Sequence, residues 1–131
     1  MIQVQIENRL QAATLAVLPD SETAQILVRP CTDPKHGDYQ SNALMGIAKQ
    51  RQMNPRQLAE EVIAKLDVSE WCEPVEIAGP GFLNFRLRLE TINQALAAAL
   101  KSEAPFITPA AEARTVVIDF SSPNVAKPMH V

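Results

Sequence analysis

The sequence contains only two cysteines, Cys31 and Cys72, far apart and in no CxxC or Cys/His cluster. That favours two reduced, partly buried thiols, as in a cytosolic protein, over a disulfide or a metal site. No apolar run approaches the roughly 20 residues of a membrane span. The stretch from Met1 to Gln11 has neither a basic segment nor a small-residue cleavage site, so no secretory signal is expected. The protein reads as cytoplasmic. Excess positive charge is missing too: the net charge is −3 and the pI about 5.3. A generic phosphate-gripping protein is thereby excluded. There are no coiled-coil heptads and no set of metal ligands.

What remains is an ordinary globular composition, 47% apolar and 21% charged over 131 residues, enough for a real core. The charge is uneven. Arg29, Lys35, Lys49, Arg51 and Arg56 face only Asp33 and Asp38 between residues 29 and 56, a local balance of +3 that leaves −6 elsewhere. Any nucleic-acid contact belongs in that middle segment.

Ile2, Ile6, Leu10, Ala13 and Val17 recur at helical spacing and predict a helix over the first 18 residues, stopped by Pro19. The alternation of Ile2, Val4 and Ile6 leaves a short strand as the minor reading. Gln25 to Pro30 is a β-rich run, and Cys31 to Asp38 a loop by its Asp-Pro and Gly. From Tyr39 to Gln52 the pattern turns helical, with Leu44, Ile47 and Ala48 on one face. Asn54 is a natural N-cap for a helix starting at Pro55, with Gln57 placed to complete a capping box and Ala59, Val62, Ile63 and Leu66 as its buried stripe.

Val75 to Ala78, the turn Gly79-Pro80-Gly81 and Phe82 to Leu89 predict a β-hairpin, its second strand alternating Leu83, Phe85, Leu87 and Leu89 with Asn84, Arg86 and Arg88. Thr91 is positioned to cap a last helix carrying Ile92, Leu96 and Leu100. This order predicts an α+β fold, a two-layer sandwich of antiparallel sheet and helices with one wet sheet face, over residues 1–100. Residues 101–114 read as a linker. Thr115 to Phe120 is a compact apolar run of the kind found in a parallel sheet, so residues 115–131 read as the cut start of a second domain.

The segment Ser122, Pro123, Asn124, Val125, Ala126, Lys127, Pro128, Met129, His130, Val131 resembles the entrance to the catalytic domain of arginyl-tRNA synthetases. There a strand runs into Ser-Pro-Asn-x-Ala-Lys-x-Met/Phe-His-x-Gly-His, the family's version of the class I signature. The stretches Gly37 to Lys49 and Val75 to Leu87 likewise resemble that family's N-terminal additional domain. The resemblance implies a complete appended domain followed by the first strand of a truncated Rossmann-like catalytic domain.

It also implies an arginine–tRNA ligase as the intact parent, using ATP with Mg2+ and usually monomeric. His130 would be the first signature histidine, stabilising the α-phosphate as a carboxylate displaces pyrophosphate. Lys127 would supply positive charge near the phosphates, and Ser122, Pro123 and Asn124 would line the arginine pocket. The fragment alone, lacking the second histidine, is expected to be inactive and to need no cofactor.

In that family the N-terminal domain touches the D-loop of its tRNA, here tRNA(Arg). Tyr39 offers a ring for an extruded base, Gln40 and Asn42 offer amides for a base edge, and Lys35, Arg51 and Arg56 could hold phosphates. Gly37 lets backbone approach closely. Two other readings stand beside it. One is a free-standing, non-enzymatic RNA-binding adaptor of the same fold. The other is a plain α+β interaction domain in which Tyr39 is a core ring, Asp38 or Ser41 caps the next helix, and the Gly-Pro-Gly turn only sets the hairpin register.

Overall fold

A computed structural model describes residues 1–21, 25–102, 110, 112 and 114–119. The predicted linker falls largely outside the described residues, and all of Ser122 to Val131 does.

Helix α1 spans Ile2–Val17 and buries Ile6, Leu10, Ala13 and Thr14, one stripe at helical spacing. The buried Thr14 hydroxyl donates to the Leu10 carbonyl at 2.8 Å, so it enters the core satisfied. Pro19 follows, as expected, in a short 3-10 turn, Pro19–Ser21.

The chain then reaches β1, which is only Arg29–Pro30. The longer strand expected from Gln25 does not form, because Val28 finds its partners on α1. Its N–H donates to the Glu7 carboxylate at 2.9 Å, and its carbonyl accepts from the Gln3 amide at 2.7 Å. Side chains of a helix thus take the place of a neighbouring strand for a buried backbone that must be paired.

A 3-10 turn, Pro34–His36, leads through Gly37 to β2, Tyr39–Ser41. These three residues read as the start of a helix in the sequence. They form a strand because Tyr39, Gln40 and Ser41 lie opposite Phe85, Asn84 and Leu83. Helix α2, Ala43–Gln50, begins only after them and buries Leu44, Ile47 and Ala48. Helix α3, Pro55–Ile63, begins as predicted, with the Asn54 side chain accepting from the N–H of Arg56 and of Gln57. It buries Leu58, Ala59 and Val62, while Ile63 and Leu66 lie at the core's margin.

The hairpin of β3, Glu76–Ala78, and β4, Phe82–Phe85, is joined at Ala78 opposite Phe82. The predicted second strand was longer. It ends at Phe85, and Leu87 makes only an isolated bridge to Cys72. Beyond that the backbone turns into α4, Leu89–Leu100. Leu89 is therefore a helix residue, 66% exposed, and not an inward strand residue. Thr91 does not cap this helix. Arg88 holds that position, while the buried Thr91 hydroxyl donates to the Trp71 carbonyl at 3.2 Å.

The four strands form one antiparallel sheet in the order β1-β2-β4-β3. With the four α-helices among the described residues this is the expected α+β class. Leu83 and Phe85 of β4 are fully buried and share one core cluster with Ile6, Leu10, Leu44, Leu58 and Val62 of the helices. Thr115 to Asp119 shows no ladder, and Val116, Val117 and Ile118 are exposed. The strand expected here is absent from the described residues because no neighbouring strand supplies its hydrogen bonds.

Candidate nucleic-acid interface

Side chains alternate across a strand, so directly paired residues share a face. Tyr39 and Phe85 form one pair, Ser41 and Leu83 another. Phe85 and Leu83 are fully buried, which puts these pairs on the core face. The opposite face carries a single polar row across all four strands. Arg29 lies beside Gln40, Gln40 beside Asn84, and Asn84 beside Glu76.

The edge of this face holds a depression of about 270 Å³ lined by Arg29, Gln40, Asn42 and Phe82, with Gln25, Leu27 and Ala43. Phe82 is half-buried and supplies a ring wall. Asn42 precedes α2 without capping it; the Ser41 hydroxyl instead accepts from the Ala43 N–H at 3.4 Å. Among the described residues no hydrogen bond engages the side-chain amides of Gln40, Asn42 or Asn84, and none of their polar atoms is sealed off without a partner. Gln40 and Asn42 line the depression with unengaged amides, whereas Asn84 is only 6% exposed. A second depression of about 250 Å³ lies on the β3 side of the same face, with His36, Glu76, Asn84 and Arg86 in its walls.

The loop before β2 is held by backbone approach. Gly37 has φ +105°, and a Cβ added there would stand 2.7 Å from the Phe85 carbonyl oxygen. Only glycine fits such a position. Asp38 donates its N–H to that same carbonyl at 2.8 Å.

The model of the arginyl tRNA synthetase N-terminal domain matches residues 1–87. The chain belongs to this family. A second family model, the catalytic domain of class I (R) tRNA synthetases, matches residues 92–131. The chain is 52% identical over 124 residues to the arginine–tRNA ligase of Thermosynechococcus vestitus, covering 95% of this chain and 21% of that protein. It is 45% identical over 130 residues to that of a Marinomonas species, covering 99% and 22%. The chain thus spans about a fifth of the length of the curated relatives it matches. Among solved structures, the arginyl-tRNA synthetase of Thermus thermophilus superposes with a TM-score of 0.61 at 30% identity, covering 81% of this chain and 17% of that one. The Plasmodium falciparum enzyme gives 0.67 at 21% identity, covering 82% and 20%, a likeness of fold.

For an arginyl-tRNA synthetase N-terminal domain, the predicted contact residues divide into two groups. Gln40 and Asn42 come together at the depression. Tyr39 lies on the other face, packed against the core. Lys35 sits in the 3-10 turn, its carbonyl accepting from the Arg86 guanidinium at 3.1 Å. Arg56 is occupied, ion-paired with Glu60 at 3.6 Å and donating to the Gly79 carbonyl at 3.4 Å. Arg51 stands at the end of α2, away from the depression. Sequence reasoning counted Arg29 only in the basic middle segment and did not single out Phe82, which also lines the depression, or Asn84, which lies beside Gln40. The alternation of Phe82 and Asn84 with the buried Leu83 and Phe85 was the available signal.

The two thiols lie outside this geometry. Burial pushes Cys72 up to about 11, with the Asp38 charge adding to it. Burial and the same carboxylate also raise Cys31. No group of three or more metal-ligating side chains occurs among the described residues, and no helix among them is long and apolar enough to cross a membrane.

Proposed function

We propose that this chain is the N-terminal part of an arginine–tRNA ligase whose intact form uses ATP, with Mg2+, to activate arginine and attach it to tRNA(Arg). The observation that carries this reading is the succession of two family matches, the N-terminal domain over residues 1–87 and the class I catalytic domain over 92–131. In this reading residues 1–100 are the appended domain, a two-layer sandwich, residues 101–114 a linker, and 115–131 the start of the catalytic domain. His130 and Lys127 meet the ATP phosphates, and Ser122, Pro123 and Asn124 line the arginine pocket. The intact enzyme is a cytoplasmic monomer, and the fragment alone is inactive.

The appended domain contacts the D-loop through the polar face of its sheet. An extruded base stacks on Phe82 and is read by the amides of Gln40 and Asn42, with Asn84 beside them and Arg29 toward the backbone. Support comes from the convergence of Arg29, Gln40, Asn42 and Phe82 on one depression and from the absence, among the described residues, of internal partners for those amides.

The test is arginylation by the intact enzyme carrying this chain. Phe82→Ala and Gln40→Ala should each lower kcat/KM for tRNA while leaving tRNA-independent folding of the domain intact. A D-loop base substitution should remove the effect of both. Additive penalties from protein and tRNA changes would place the contact elsewhere.

A further inference from the structure

The depression at Gln40 does not end there. A second groove, of about 390 Å³, continues from it along α2, sharing Gln25 and Ala43 and running past Gly46 and Gln50 to Arg51, with Asp20 on its far wall. Ala43, Gly46 and Gln50 recur at i, i+3 and i+7, so they form one face of the helix, turned away from the buried Leu44 and Ala48.

Gly46 is the unexpected residue. Glycine inside a helix is unfavourable relative to alanine, so it usually answers to a close neighbour. Here a Cβ would meet no heavy atom within 4 Å. Among the described residues nothing gives a reason for the missing side chain. What glycine keeps is the open floor of the groove.

We propose that this groove seats the ribonucleotide adjacent to the base held at Phe82 and Gln40, an inference that rests on the RNA-contacting reading above. The chemistry of the walls suits one nucleotide unit better than a free phosphate. Asp20 repels an isolated anion, but its carboxylate accepts from a 2′-hydroxyl or a base N–H. Gln25 and Gln50 offer both donor and acceptor, and Arg51 offers a guanidinium to the phosphate. Among the described residues the side chains of Asp20, Gln50 and Arg51 make no hydrogen bond or ion pair, so binding displaces no internal partner. Gly46 lets the sugar or base lie directly on the helix.

The test is an NMR titration of the 131-residue chain with a tRNA(Arg) transcript, comparing the unchanged chain with its Gly46→Ala, Gly46→Gln, Arg51→Gln and Phe82→Ala variants. Gly46→Ala should raise the melting temperature and weaken binding, though by less than a longer side chain does. Gly46→Gln should fold as well as the parent and yet weaken binding about tenfold, within the range for losing one base stack. Arg51→Gln should reduce the dependence of log K on log salt by about one contact. If the unchanged chain gives no shifts at all with tRNA, both readings are overturned. If it binds, and Phe82→Ala weakens it while Gly46→Gln does not, the base pocket stands and the α2 groove is refuted.

Discussion

The carboxylate of Asp38 accepts a hydrogen bond from the N–H of Leu87 at 2.7 Å, across 49 residues of sequence. The N–H of Asp38 itself donates to the carbonyl of Phe85 at 2.8 Å. One residue thereby finishes the β2–β4 ladder from both sides. It also explains why β4 ends where it does, since beyond Phe85 the acceptor is a side chain and not a strand. Asp38→Ala should cost about 1.5–3 kcal/mol, the scale of a hydrogen bond to a charged group. Asp38→Asn, which keeps an oxygen acceptor, should cost less. Denaturant melts of the two variants check this, and no loss in either would assign the role to the backbone bond alone.

Gly37 and Gly46 should respond in opposite directions to the same substitution. At Gly37 an added methyl group meets the Phe85 carbonyl at 2.7 Å with φ at +105°. Gly37→Ala should therefore destabilise by more than about 1 kcal/mol. Gly46→Ala should stabilise by up to about 1 kcal/mol. For a domain of this size each kcal/mol moves the melting temperature by about 4–8 °C. Thermal melts of the two variants, run side by side, decide the matter.

Tyr39 and Phe82 lie on opposite faces of the sheet and should separate stability from recognition. Tyr39→Ala removes a ring packed on the core and should lower the melting temperature by several degrees, changing tRNA use only in proportion. Phe82→Ala should reverse that order, weakening tRNA use by about 1–3 kcal/mol, the worth of one base–aromatic stack. Tyr39→Phe, which keeps the ring, should be nearly silent in both measurements. A Tyr39→Ala variant of normal stability and poor tRNA use would return the stacking role to Tyr39.

Cys72 makes an alkaline prediction. Its thiol has a folded value of about 11 against 9.0 for the free group. Between those values the unfolded chain has released a proton that the folded chain retains. Its contribution is therefore whole below pH 9 and declines as pH rises toward 11, with a slope reaching about 1.4 kcal/mol per pH unit. Urea melts at pH 8 and pH 10 should show a smaller loss for Cys72→Ala than for the parent. An identical loss in both would mean that other groups carry the alkaline instability.

How much of this was legible in the sequence depended on the distance over which each partner lies. The start of α3 needed only Asn54 and Pro55, which are adjacent, and it was read correctly. The hairpin turn needed Gly79, Pro80 and Gly81, again adjacent. The extent of β1 depended on Gln3 and Glu7, more than 20 residues away, and the periodicity of Gln25 to Pro30 carries no trace of them. Gln40 and Asn42 were chosen for their donor and acceptor groups, and both line the depression. Tyr39 was chosen for its ring. Its face is fixed by pairing with Phe85, a register that local pattern does not reveal.

The place of β4 between β2 and β3 has a consequence for how the chain emerges during synthesis. Residues up to Ser41 can leave the ribosome and shape α1 and the loop, but β2 has only the two-residue β1 beside it until Phe82–Phe85 arrives. The polar row and Phe82 are thus completed in a single late step, by the insertion of the strand that also seals the core. A nascent chain halted before that strand would have every residue of the Gln40 loop and no surface on which to use them.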